Sequence, residues 1–255
     1  MSNQYFFAAS SGAAGFVSNF GKIFDPTSFE RIYIIKGGAG TGKSTFMKKI
    51  AAEALAQNMD TVCYRCSSDP SSLDGVVIPE LKAAIIDGTS PHQTEAKYPG
   101  ACEILLDFGK ALDQSKLRPS KKMIEELCAS STEHYGRAYA LLRSAGDFAK
   151  EQTRVCACAY NREKADAYIE RFLRSFDTGE ETSALLYTFC RDGLVFLPTL
   201  SDIAEKTYII SGNEPLSSVM LYAIAAHARA TEKSFTFVPD PIRPGFPKAL
   251  WFGLS

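Results

Sequence analysis

The sequence predicts an α/β fold: a three-layer αβα arrangement around a mostly parallel sheet, with a helical insertion near the middle of the chain. Three observations carry this. Short apolar runs of strand length alternate with stretches of helical periodicity. A strand, a glycine loop and a helix follow one another between Arg31 and Leu55. The 12 prolines all fall at or before Pro119 or at or after Pro198, which leaves the stretch between them free for long helices.

The strand-length runs before the proline-free stretch are Tyr5–Ala9, Arg31–Lys36, Thr61–Cys66 and Ala83–Ile86. Those after it are Ala184–Phe189, Leu194–Leu197, Thr207–Ser211 and Ser234–Val238. Between them, Ile104, Leu105, Phe108 and Leu112 fall at helical spacing, as do Met123, Ile124, Leu127 and Cys128. Past a capping Asn161, the residues Ala165, Ile169, Phe172, Leu173 and Phe176 form another apolar stripe. A mostly helical insertion over about 101–176 is expected, its aromatics serving as core.

A weak internal repeat divides the chain. EKTYIISG (Glu205–Gly212) echoes ERIYIIKG (Glu30–Gly37), and each is followed by a helical pattern and then a β-like run ending in Asp-Pro, at Asp69-Pro70 and Asp240-Pro241. RDGLVFL around Gly193 echoes AAGFVSNF around Gly15. Four matches in one order point to duplication. The expected organisation is a first domain over 1–182 carrying the insertion, and a truncated second copy over 183–255 packed on it.

Bulk properties exclude several function classes. Lys plus Arg number 28 and Asp plus Glu 29, a net charge of -1 that gives no electrostatic reason to expect nucleic acid or an anionic membrane as partner. No apolar run approaches the ~20 residues of a membrane helix. The N-terminus lacks the basic and apolar regions of a signal peptide, so a cytoplasmic protein is expected. The 7 cysteines are odd in number and irregular in spacing, which argues against a disulfide framework. Cys63 and Cys66 form a CxxC within a strand pattern; residues three apart on a strand face opposite ways, so buried thiols are expected rather than structural zinc.

The chemistry-bearing motif is GGAGTGKS, Gly37 to Ser44, which fits G-x-x-x-x-G-K-[ST]. A loop wrapped around phosphate must turn its backbone N–H groups inward, and Gly37, Gly38, Gly40 and Gly42, with Ala39 and Thr41 between them, permit that. Lys43 offers an ammonium to the β- and γ-phosphates, Ser44 offers a hydroxyl to Mg²⁺, and Thr45 continues the helix whose N-terminus favours an anion. The expected fold is thus that of a P-loop NTPase, and the expected ligand is ATP with magnesium. A second metal-side acid belongs at the C-terminal end of a neighbouring strand, where Asp87 follows AAII. Asp69 and Asp74, in SSDPSSLDG after the second strand, are candidates to position water or a second substrate, or are turn residues. His92 is a candidate γ-phosphate sensor.

The strings KGGAGTGKSTFMKKI, CSSDPSSLDGVVIPEL, IIDGTSPH and KYPGA together resemble a family of uncharacterised bacterial P-loop ATPases. Its members are described as ATPases or nucleotide kinases and look like two tandem NTPase halves. The resemblance is strong over 1–100, moderate through the helical region and weak over 183–255. It implies nucleotide binding at Gly37–Thr45, with Asp87 and His92 as site residues. The chain departs from that family in its second half: SGNEPLSSV, Ser211 to Val219, lacks the glycine pair and has Ser217 where Lys43 would fall, and Asp87 has no counterpart. One working site is therefore expected.

Three functions remain open at this point. The first is Mg-dependent ATP hydrolysis at a single site, coupled to conformational change or a protein partner. The second is a small-molecule or nucleotide kinase whose helical insertion is a lid, with Arg118, Arg137, Arg143 or Arg154 clamping the phosphates of a second substrate. The third is a non-catalytic, nucleotide-responsive binding module.

Overall fold

The computed structural model describes residues 3–253. The chain divides into two compact units. Unit 1 comprises residues up to Ser10, Val17–Ala138 and Cys190–Gly193; unit 2 comprises Ser11–Phe16, Tyr139–Phe189 and the chain from Leu194 onward.

In order, the elements are β1 (Asn3–Phe7), β2 (Ala9–Gly12), β3 (Gly15–Ser18), α1 (Phe20–Ile23), β4 (Arg31–Lys36), α2 (Lys43–Ala56), β5 (Thr61–Arg65), β6 (Leu73–Ile78), β7 (Ala83–Asp87) and β8 (Glu103–Asp107). There follow α3 (Gln114–Leu117), α4 (Lys121–Ala157), α5 (Arg162–Leu173), β9 (Glu181–Ser183), β10 (Tyr187–Cys190), β11 (Gly193–Phe196), α6 (Thr199–Ile203), α7 (Glu214–Ala230), β12 (Phe235–Pro239) and β13 (Pro247–Trp251).

Unit 1 is built on a six-stranded sheet in the order β1-β5-β6-β7-β4-β8. All neighbours run parallel except β6, which is antiparallel to both β5 and β7. The architecture is therefore α/β with a mostly parallel central sheet. The strand period of two sorts the core. Ile35, Val76, Ile78 and Ile85 face one way, against Met47, Ala51 and Ala54 of α2. Ile32, Ile34, Val77, Ala84 and Ile86 face the other way, against Phe20 and Phe24. That second face is covered by the single turn of α1 and the loop after it, where the sequence predicts a full helical layer. Burial on both faces makes β4, β6 and β7 nearly continuous apolar runs.

Two expectations about the middle of the chain are corrected. Residues 103–107 form a strand pairing with β4, so the helical reading of Ile104, Leu105, Phe108 and Leu112 fails. Four apolar residues in a ten-residue window fit either period, and pairing with β4 decided the matter. The long helix begins only at Lys121 and runs for 37 residues. Nor does the division at 182/183 match the two units, because Tyr139–Phe189 groups with unit 2.

The internal repeat is visible in the element order. A strand, a hairpin, a short helix, a long helix and two further strands recur as β1, β2–β3, α1, α2, β5, β6 and as β9, β10–β11, α6, α7, β12, β13. The pairing recurs too: β5 is parallel to β1 and antiparallel to β6, as β12 is parallel to β9 and antiparallel to β13. Gly15 and Gly193 open the second strand of their hairpins with φ of 86° and 90°. One expectation fails here. Thr207–Ser211 forms no strand, and Tyr208 and Ile209 are exposed. In unit 1 the matching β4 is held between β7 and β8. The three-stranded sheet β13-β12-β9 offers no equivalent pair.

The core of unit 2 is formed by Ile169 and Leu173 of α5, Ile224, Ala225 and Ala228 of α7, and Phe235 of β12.

Candidate functional site

The candidate site lies at the edge of the unit 1 sheet where β4, β7 and β8 end and the antiparallel β6 begins. Ligand sites of open α/β sheets gather at this edge. Gly37–Gly42 loops from the end of β4 to the start of α2. Gly40 and Gly42 have φ of 75° and 85°, a left-handed backbone that a side chain resists. A Cβ on Gly37 would lie 2.9 Å from that of Phe108. Gly38, Ala39 and Gly40 are exposed, as is Thr45 on the first turn of α2. Thr41 Oγ1 donates to the Gly38 carbonyl.

Lys43 is the first residue of α2, yet its ammonium turns back into the loop. Nζ donates to the carbonyls of Gly37 and Gly38, both at 2.9 Å, and lies 3.5 Å from Asp87 Oδ2. Asp87 sits at the end of β7, where its other oxygen accepts from the backbone N–H and hydroxyl of Thr89. Lys36, one residue before the loop, holds the segment after Asp87 in place through Gly88 O, Thr94 O and Glu95 Oε1. Ser44 Oγ accepts from the backbone N–H of Leu73 at 3.0 Å, which ties the start of β6 to α2.

A hydroxyl and a carboxylate beside a phosphate-type loop are the hard oxygen donors that suit Mg²⁺, which takes few protein ligands and fills its shell from water and phosphate. Among the described residues no cluster of three or more His, Cys, Asp or Glu could hold a metal ion, and Cys63 and Cys66 are free thiols. Both are buried to different degrees, and burial pushes the Cys63 thiol up to about 11 and the Cys66 thiol to about 12.

Asp74 and His92 are placed differently from the sequence reading. Asp74 lies inside β6 and not in the preceding loop. His92 is buried, with Nε2 at 3.1 Å from Asp74 Oδ2 and its ring stacked on Phe20 at 4.1 Å between centroids. The His92 side chain is only 4% exposed and is engaged with Asp74 of β6. What the pair does is fasten the segment that follows Asp87 to β6.

Asp69 forms a turn. Oδ1 accepts from the backbone and hydroxyl of Ser71, and Oδ2 from the hydroxyl of Ser72. These serine bonds hold its carboxyl below the ordinary range, with the charge of Arg191 adding to the effect. The matching Asp240 of unit 2 makes the same kind of turn, accepting from the backbone N–H of Ile242. The turn thus recurs where no glycine loop exists, which marks it as part of the repeat's scaffold.

Two residues at this edge escaped the sequence reading. Asp107 ends β8 in register with Lys36, and the adjoining Phe108 presses on Gly37 and on the Phe46 ring. Its signal was present: EILLD and AAIID are both apolar runs closed by an acid. Arg191 lies at the tip of the β10–β11 hairpin, in the Cys190–Gly193 segment that groups with unit 1; its guanidinium is 3.7 Å from Asp192, and its charge also reaches Asp69.

The start of α7 has the opposite charge to that of α2. Its first residue is Glu214, which binds Lys248 at 2.9 Å and Arg243 at 3.1 Å. These bonds lower its pKa to about 2. Ser217 bonds back to the Asn213 carbonyl. A fixed anion at the helix N-terminus opposes phosphate there. Three of the four candidate arginines of the helical segment are engaged with their own stretch of chain, Arg118 with Gln114, Arg137 with Glu133 and Arg154 with Glu151, and Arg143 is exposed on α4.

No protein-family model, curated protein or solved structure matches the chain.

Proposed function

We propose that the chain is a P-loop NTPase that binds ATP with Mg²⁺ at Gly37–Thr45 and hydrolyses it there, at one site per chain. The observation that carries this reading is the Lys43–Asp87 pair at 3.5 Å beneath a loop whose Gly40 and Gly42 take left-handed backbone. The resemblance to bacterial P-loop ATPases agrees with it, as does the Glu214 carboxylate at the start of α7, where α2 starts with Lys43.

The residues have distinct tasks. Lys43 exchanges the carbonyls of Gly37 and Gly38 for β- and γ-phosphate oxygens. The loop N–H groups and the α2 N-terminus hold the remaining phosphate charge. Ser44 and Asp87 would hold the metal, which would supply positive charge beside the phosphates. The Ser44 hydroxyl also accepts from the Leu73 N–H of β6. Arg191 is a candidate cation for the γ-phosphate.

Phosphate release from Mg-ATP by the purified chain tests hydrolysis. Turnover that requires an added acceptor would favour the kinase reading instead. Arg118, Arg137 and Arg154 pair with their own neighbours and lend that reading no support.

A further inference from the structure

The helix α4 carries an exposed apolar seam. Leu127, Leu141, Phe148 and Val155 stand on it, with His134 completing a strict seven-residue spacing. Ile124 precedes Leu127 by three, and Ser131, Ala138, Ala145 and Gln152 continue that second row. This is a heptad pattern over more than four repeats. All ten residues are exposed, Leu127 at 63%, Leu141 at 73%, Phe148 at 66% and Val155 at 58%. The residues that α4 does bury, Gly146, Ala149 and Thr153, lie on a different stripe; Gly146 packs against Ala13 so closely that a Cβ would meet it at 2.5 Å. The helix therefore has one stripe already spent and a second one open.

We propose that this seam pairs with the same seam of a second copy of the chain, the two helices running antiparallel. The sizes of the residues choose the partner and the direction. In one antiparallel register each large residue of the second copy meets a small one of the first: Phe148 against Ser131, Leu141 against Ala138, His134 against Ala145. The ends close with Ile124 against Val155 and Leu127 against Gln152. A parallel pair would stack Ala138 on Ala138 and Ala145 on Ala145 while crowding Phe148 on Phe148, leaving voids and overpacked layers in alternation. Because the pattern complements itself, an identical chain satisfies it by two-fold symmetry. The antiparallel arrangement also sets each helix N-terminus beside its partner's C-terminus, which the helix dipoles favour.

Sedimentation velocity on the full chain tests this. The expected mass at micromolar concentration is twice the 27.9 kDa of one chain. The double substitution Leu141→Asp with Phe148→Asp should give monomers of unchanged helix content, since both side chains are exposed. Arg143→Asp, on the opposite side of the helix, should stay dimeric. Spin labels at Glu125→Cys, with the exposed Cys128 and Cys158 and the half-buried Cys156 changed to serine, should lie about 40–45 Å apart across the dimer. A wild-type monomer at 100 μM concentration, a dimer that survives the double substitution, or a label separation under about 20 Å, as parallel helices require, would each overturn the proposal.

Discussion

Lys43 Nζ lies 3.5 Å from Asp87 Oδ2, so the residue that opens α2 and the residue that closes β7 face each other across the loop from Gly37 to Gly42. Strand β4 separates neither of them from the site, because β7 is its direct neighbour in the sheet. Under the proposed function, this pair would set a cation for phosphate on α2 beside a carboxylate for metal on β7.

The two carboxylates that flank β4 can be told apart. Asp87→Asn should lower Mg-dependent turnover roughly 100- to 1,000-fold, the usual loss for one preorganised electrostatic group. Asp107→Asn should lower it by less than about 10-fold, since it is Asp87 that lies beside Lys43. Steady-state phosphate release measures both, and the reverse order would move the metal site to β8.

The loop itself depends on its backbone. Gly42, at φ 85°, should cost about 1–2 kcal/mol of strain when changed to Ala, and the strain should appear as weakened nucleotide binding together with a lowered urea midpoint. A Gly42→Ala chain that binds ATP as tightly as wild type would show that the left-handed turn is not needed.

The buried pair of Asp74 and His92 should be costly to break. Both side chains are under 10% exposed, at 7% and 4%, so Asp74→Ala leaves a polar imidazole without its partner in the core. A loss of about 3–5 kcal/mol is expected by urea unfolding. A loss below about 1 kcal/mol, typical of exposed pairs, would show that the contact does not hold the segment after Asp87.

Much of unit 1 could be read from the sequence. β4, α2 and β7 follow from apolar runs that end in a glycine loop, a helical stripe and an acid. β6 was hidden because Leu73–Ile78 follows a loop of serines and Asp-Pro, and its strand character comes from burial between β5 and β7. Asp74 and His92 were misplaced for the same reason. β8 was hidden by apolar spacing that fits both periods. The segment Thr207–Ser211 was misread in the other direction: its residues suit a strand, but pairing partners decide whether such a segment joins a sheet.

Acid should remove one stabilising contribution of unit 2. The Glu214 carboxyl is held down to about 2 by hydrogen bonds from Lys248 and then Arg243, against an ordinary value of 4.5. A depressed folded-state pKa stabilises above the unfolded value, and the benefit fades as pH falls from there toward the folded value. The stability difference between wild type and Glu214→Gln should therefore be constant above about pH 5 and shrink between about pH 4.5 and 2. Chemical unfolding across that range measures it; a difference that does not change with pH would contradict the assignment.

The central claim is a single nucleotide site at Gly37–Thr45, and titration calorimetry with a non-hydrolysable ATP analogue and Mg²⁺ tests it most directly. The expected result is one analogue bound per chain in the wild type and none detectable in Lys43→Ala. Two bound per chain, or undiminished binding by Lys43→Ala, would contradict it.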